Sequence, residues 1–219
     1  MISLLYTITR HKLSLTISPI LDSIADQAAQ ADQSRKVSAN VIAAIKQSEI
    51  MRFTACESIG GANQSCSQIA RELEAISANC ASTGWCLWNH LCTFHLFCGL
   101  LGPANKEFLE GITRRREWVC FPAGASSAVR GVLEGESIKI SGRAAFGSGA
   151  RYAEWAGVAF VLDDKPRFSL VDLGQDEVII EDDWHAMSLR ASATDTIIYE
   201  GACIPLNRVV DFPFMYRVP

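Results

Sequence analysis

Up to about residue 113 the apolar positions of the chain recur three or four residues apart; beyond about residue 117 they come in short runs punctuated by glycines and paired aspartates. The first pattern belongs to helices that bury one face, the second to strands. Ser18 and Pro19 form a helix-start signal, and Ile20, Leu21, Ile24, Ala25 and Ala28 follow with the helical period. Ser38 is placed to cap a second helix striped by Val41, Ile42 and Ile45, and Gly60-Gly61 separates it from a third carrying Ile69, Leu73 and Ile76. The segment 82–101 is apolar on nearly every side, with Trp85, Cys92 and Leu96 on one face and Leu87, Leu91, Phe94 and Leu101 opposite. This predicts a buried central helix. Gly102-Pro103 ends it and starts a short helix with Phe108, Leu109 and Ile112.

Beyond Arg116 the candidate strands are 118–121, 137–140, 156–162, 168–171, 177–180 and 196–204, the last ended by Pro205. Helices followed by strands predict an α+β fold, an N-terminal α-helical domain and then an antiparallel β-barrel or sandwich. The expected division is an N-terminal extension over 1–17, a helical domain over 18–116 and a β domain over 117–219.

Composition narrows the function more than the fold. With 219 residues, 49% of them hydrophobic, the chain can bury a substantial core. A net charge of -4 leaves no basic footprint for nucleic acid or an anionic membrane, and Arg114-Arg115-Arg116 falls where a helix end attracts positive charge. Eight cysteines in a chain this long, with an opening run over 1–8 too short for a leader and followed by Arg10, His11 and Lys12, fit a reducing cytoplasm. No apolar stretch reaches the ~20 residues that span a bilayer.

Several chemistries are excluded by spacing. Cys80, Cys86, Cys92 and Cys98 recur every six residues, but on a helix each step of six turns about 240°, and the first and last lie roughly 27 Å apart. They are core fillers rather than metal ligands, and no Cys-x-x-Cys or His-x-x-x-His pair supports zinc. Gly147-Ser148-Gly149 lacks the third glycine of a dinucleotide fingerprint, and neither a phosphate loop nor a Gly-x-Ser-x-Gly elbow occurs. Among the histidines, His11 and His185 read as surface residues. His90 and His95 fall on the apolar helix, where a hydrogen-bonded core histidine is the ordinary explanation. His90 is nevertheless the catalytic candidate, because Trp85, Trp88 and Asn89 beside it combine aromatic and polar groups as substrate pockets do.

Two stretches carry a resemblance. ISGRAAFGSG at 140–149 has Gly142, Arg143, Phe146, Ser148 and Gly149, and DDWHAMSLRASATDTIIYEGACIPLNRVV at 182–210 has Trp184, Leu189, Arg190, Ser192, Thr194, Asp195 and Pro205. These are similar to two segments of the acyl-CoA dehydrogenase superfamily, the strand and loop that face the flavin and the Trp, Gly-Leu-Arg, Ser/Thr, Asp pattern before a strand ending in proline. The Gly-Arg, Phe, Ser-Gly series resembles the two-component flavin monooxygenases more than the dehydrogenases. Ala144 stands in place of that branch's Trp, and Ser188 in place of the usual Gly, which places an altered turn before Arg190. Ala81-Ser82-Thr83-Gly84-Trp85 resembles the same branch's lead into its central helix.

The resemblance implies FMN or FAD, supplied in reduced form by a partner flavin reductase, that activates O2 to hydroxylate a small aromatic substrate. Phe146, Gly147, Ser148, Arg190 and Ser192 are then the cofactor-binding residues, and Trp85, Trp88 and Asn89 face the substrate. It also implies a homo-oligomer, dimer or tetramer, and a C-terminal helical bundle missing from this sequence, without which flavin would be held weakly. Two alternatives stand beside this reading: an acyl-CoA dehydrogenase that desaturates an acyl-CoA, and a truncated, inactive homologue.

Overall fold

The computed structural model describes residues 15–122 and 128–211; most of the expected N-terminal extension, His11 included, lies outside the described residues. Among the described residues five α-helices come first. A single 3-10 turn at Ser18–Ile20, with Pro19 in its first turn, leads into α1 (Leu21–Ser34). Ser38 caps α2 (Ala39–Gln47) by accepting from Val41 N, and Ser65 caps α3 (Cys66–Asn79) by accepting from Gln68 N. The chain ahead of α1 is fastened to α3 by the buried Glu72 carboxylate, which accepts from Thr16 N at 2.7 Å and Ile17 N at 3.0 Å.

The central helix, α4 (Ala81–Leu101), and α5 (Lys106–Arg115) follow, split by Gly102 and Pro103. Burial separates the two faces that periodicity distinguishes on α4. Leu87, Leu91, Phe94 and Leu101 are buried, while Trp85 and Trp88 stay 41% and 42% exposed. Cys92 and His95 on that open side are also exposed, so neither is the core residue expected; His95 only reaches Thr54 O through Nδ1 at 3.2 Å. All eight cysteines are free.

After α5 the chain forms an eight-stranded mixed sheet: β1 (Val119–Cys120), β2 (Val129–Glu134), β3 (Ser137–Gly147), β4 (Trp155–Leu162), β5 (Lys165–Asp172), β6 (Val178–Glu181), β7 (Asp195–Pro205) and β8 (Val210–Asp211). The order is β6-β7-β3-β2-β4-β5-β8, with β1 beside β4. Most neighbours are antiparallel, as expected; β1 and β2 instead pair with β4 in parallel. The cause at β1 is local. Trp118 O accepts from Glu154 N at 3.0 Å and Trp155 N at 3.2 Å, which lays the strand leaving α5 along the start of β4.

Helices and sheet share a core. Phe94, Phe97 and Leu101 of α4 pack with Val119, Phe168 and Leu170 of the sheet. Gly157 makes this approach possible, because a Cβ there would lie 2.4 Å from the Phe97 ring. Among the described residues, no helix is long and apolar enough to cross a membrane.

Candidate functional site

A cavity of about 450 Å³, within the usual size range of ligand pockets, opens between the exposed side of α4, the end of β3 and the segment joining β6 to β7. Trp85, Trp88, Asn89, Cys92, Thr93 and Leu96 line it from α4; Phe121, Phe146, Ser148, Trp184, Leu189, Ser192 and Thr194 complete the wall. Trp85 and Trp88 stack on each other with ring centres 4.9 Å apart. Asn89 is held by Phe121 N, which donates to its Oδ1 at 3.1 Å.

Two of the stretches singled out in the sequence meet here. Gly149, at φ 80°, donates its N–H to Ser192 O at 2.8 Å, and the Cys86 thiol bonds the same carbonyl at 3.1 Å. Burial pushes that thiol well above its ordinary pKa, so Cys86 stays protonated and acts as a donor.

One hydroxyl chain runs along the polar edge. Trp85 Nε1 donates to Ser148 Oγ at 2.9 Å, Ser148 Oγ pairs with Thr194 Oγ1 at 2.9 Å, and Thr194 Oγ1 pairs with Ser192 Oγ at 2.6 Å. Three hydroxyls hold three protons but need only two for these two links. An indole N–H can only donate, so the third proton is left on Ser148, Thr194 or Ser192, and all three line the cavity. The site therefore offers a guest one hydroxyl donor on an otherwise largely apolar surface.

Backbone strain gathers at the same place. Phe146, Leu189 and Ala193 adopt φ of 68°, 52° and 44°, a region that costs roughly 1–2 kcal/mol for residues other than glycine. Leu189 takes this conformation directly after Ser188, at the turn before Arg190. The register shift of β3 against β7 between Ala144 and Gly147 turns Phe146 outward, leaving it 58% exposed at the cavity.

Of the residues expected from sequence, Phe146, Ser148, Ser192, Trp85, Trp88 and Asn89 share this cavity. Three do not. Gly147 is packed against Asp195 and Ile197. Arg190 donates from Nε to Asp32 O at 3.1 Å and so ties its turn to α1. His90 is fully buried: Val119 N donates to its Nδ1 at 2.9 Å, which puts the ring proton on Nε2, and this donates to Met51 O at 3.0 Å. Burial drops its pKa to about 4, so both nitrogens are committed and the ring is neutral. His90 is a strut between helix and sheet, not a group that meets a ligand. Phe121, Trp184, Leu189 and Thr194 also line the cavity though the sequence does not single them out as site residues; the last three stand in the resembling stretch, which names them only as part of its pattern. His185 is exposed, as expected, beside a second, smaller cavity of about 370 Å³ that shares Phe146, Trp184 and Thr194 with the first.

No family model matches the chain. It is 26% identical over 206 residues to the oxygenase component of an FADH(2)-dependent resorcinol hydroxylase from Rhizobium sp. (strain MTP-10005), covering 90% of this chain and 48% of that protein. It is 22% identical over 204 residues to the flavin-dependent monooxygenase oxygenase subunit HsaA of Rhodococcus jostii (strain RHA1), covering 91% of this chain and 52% of that one. The structure of TdsC from Paenibacillus sp. A11-2 with FMN and indole superposes with a TM-score of 0.81 at 16% identity, over 90% of this chain and 52% of the other. The fold is acyl-CoA dehydrogenase-like. The similarity to two-component monooxygenases read from residues 140–149 and 182–210 is borne out by these relatives. The chain spans about half the length of each.

Proposed function

We propose that this chain forms the flavin- and substrate-facing part of an oxygenase that takes reduced FMN or FAD from a partner reductase and hydroxylates a small aromatic compound. The observation that carries the reading is the convergence of Phe146, Ser148 and Ser192 with Trp85, Trp88 and Asn89 on one cavity, from sequence positions up to 107 residues apart, counting from 85 to 192. The relatives' names support it: one is an FADH(2)-dependent hydroxylase, and the TdsC structure holds FMN together with indole.

The residues present fit a flavin. A planar ring edged with hydrogen-bond acceptors matches aromatic walls that carry one spare hydroxyl proton. Phe146, Ser148 and Ser192 are the residues to hold it, and the reduced ring would supply the electrons that activate dioxygen. The chain's own groups then do three things. Trp88, Phe146 and Trp184 keep water from the reacting atoms. The hydroxyl chain that begins at Ser148, one of whose lone pairs is already occupied by Trp85, presents its spare proton to the guest. Asn89, fixed through its carbonyl by Phe121 N, keeps its amide N–H groups for a polar substituent of the substrate.

Anaerobic titration of the protein with reduced FMN and with reduced FAD tests this, followed by the quenching of tryptophan fluorescence. Saturable binding that is weakened in Ser148→Ala and Phe146→Ala is the expected result. Absence of binding of either flavin, in reduced or oxidised form, would remove the reading.

A further inference from the structure

Trp184 borders both cavities, yet it sits in the irregular segment between β6 and β7, where no ladder holds it. Its polar groups are all taken. The backbone N–H donates to Asp195 Oδ1 at 3.2 Å, the carbonyl accepts from Arg35 Nη1 at 2.9 Å, and the indole Nε1 donates to Leu189 O at 3.0 Å.

The groups behind the backbone are themselves linked. Arg151 grips Asp195 with two bonds, Nε to Oδ2 at 2.6 Å and Nη2 to Oδ1 at 2.8 Å. Its Nη2 also reaches Asp182 Oδ1 at 2.5 Å, and Arg35 Nη2 meets the same oxygen at 2.8 Å. Asp195 is fully buried, and a buried carboxylate stays in a fold only with a partner of this geometry. The chain Arg35, Asp182, Arg151, Asp195 thus joins the end of α1 to the start of β7 and clasps Trp184 by both its backbone N–H and its carbonyl.

We infer that Arg35 and Arg151 are positioning residues that hold Trp184 as a fixed aromatic wall, so that the cavity selects flat, unsaturated rings instead of reshaping around its guest. The physical ground is preorganisation. A loop tryptophan that had to be ordered by each ligand would draw on the binding energy, whereas one fixed in advance favours the ring that matches it. The consequence for ligands rests on the aromatic reading of the cavity; the fastening of Trp184 does not.

The experiment uses the protein labelled with fluorotryptophan, the Trp184 signal being assigned through Trp184→Phe. Removing Arg151 outright would leave Asp195 buried and unpaired, so Arg151→Lys keeps the charge and loses the two-bond grip, and Arg35→Gln acts from the more accessible end of the network. Lys139→Gln, which breaks an exposed ion pair with Glu134 on the β2–β3 hairpin, is the control. In both network variants the Trp184 fluorine signal should broaden or split, the buried Trp118 signal should stay in place, and the control should resemble the parent. The dissociation constant for a phenol probe should rise about tenfold, as expected when a positioning contact is lost, while that for cyclohexanol changes less. An unchanged Trp184 signal in both Arg151→Lys and Arg35→Gln would overturn the proposal. Failure of the parent protein to bind any aromatic probe, with the Trp184 signal still responding, would instead overturn the functional reading and leave the fastening established.

Discussion

Trp85 and Ser148, 63 residues apart in sequence, are joined by a 2.9 Å hydrogen bond from the indole Nε1 to the hydroxyl oxygen, and through it α4 is fastened to the end of β3. Because the indole can only donate, this contact fixes which lone pair of Ser148 is occupied and helps leave a hydroxyl proton for the cavity.

Ser148→Ala follows directly. It leaves Trp85 Nε1 and Thr194 Oγ1 each short of a partner at the edge of an open cavity, so the stability cost should be only about 1–2 kcal/mol, measured by urea unfolding. If the hydroxyl holds the flavin side of the reaction, the ratio of hydrogen peroxide to hydroxylated product should rise severalfold. Coupling equal to that of the parent would remove Ser148 from the site.

Phe146→Gly separates strain from function. The substitution relieves roughly 1–2 kcal/mol of left-handed backbone strain at φ 68° and gives back about 0.5–1 kcal/mol through the freedom of glycine in the unfolded chain. Since the ring is 58% exposed, little burial is lost. Stability should therefore stay within about 1 kcal/mol of the parent while affinity for flavin and aromatic probes falls. A large stability loss with unchanged affinity would show that Phe146 serves packing alone.

His90 predicts a pH dependence. Its folded pKa, lowered to about 4 by burial, lies below the unfolded value near 6.5, so between these limits the unfolded chain binds the extra proton. Stability is full above the unfolded value and is lost as pH falls toward 4. Going from pH 7 to pH 5 should cost about 2 kcal/mol from this residue. Denaturant unfolding at the two pH values checks this, and His90→Gln should flatten the difference. An equal slope in the variant would mean that other groups carry it.

How much of this was legible in the sequence follows from which contacts are local. The two faces of α4 were readable because Leu87, Leu91, Phe94 and Leu101 share a helical side, but both faces are apolar, and only the packed structure tells which one opens on the cavity. β2 went unseen because Gly131 interrupts it. A Cβ at that position would lie 2.9 Å from Ile138 and Phe160, so close packing demands the residue that erases the strand pattern. Phe146, Ser148 and Ser192 were found through the resemblance. Arg190 came with them, and turned away because its partner, Asp32, lies 158 residues upstream on α1. His90 looked catalytic beside Trp85, Trp88 and Asn89, since nothing local reveals that Met51 and Val119 take both its nitrogens. Trp184 needed the ion network through Arg35 and Arg151 before it could be placed.

Isotopic labelling tests the proposed hydroxylation most directly. The protein is mixed anaerobically with reduced FMN or FAD and a panel of simple phenols, heavy-isotope dioxygen is admitted, and the products are read by mass spectrometry. The expected product is a phenol that gains one labelled oxygen atom, with yield reduced in Ser148→Ala and restored in Ser148→Thr. Flavin oxidation at the rate seen without protein, together with unlabelled phenols throughout the panel, would contradict the proposed hydroxylation.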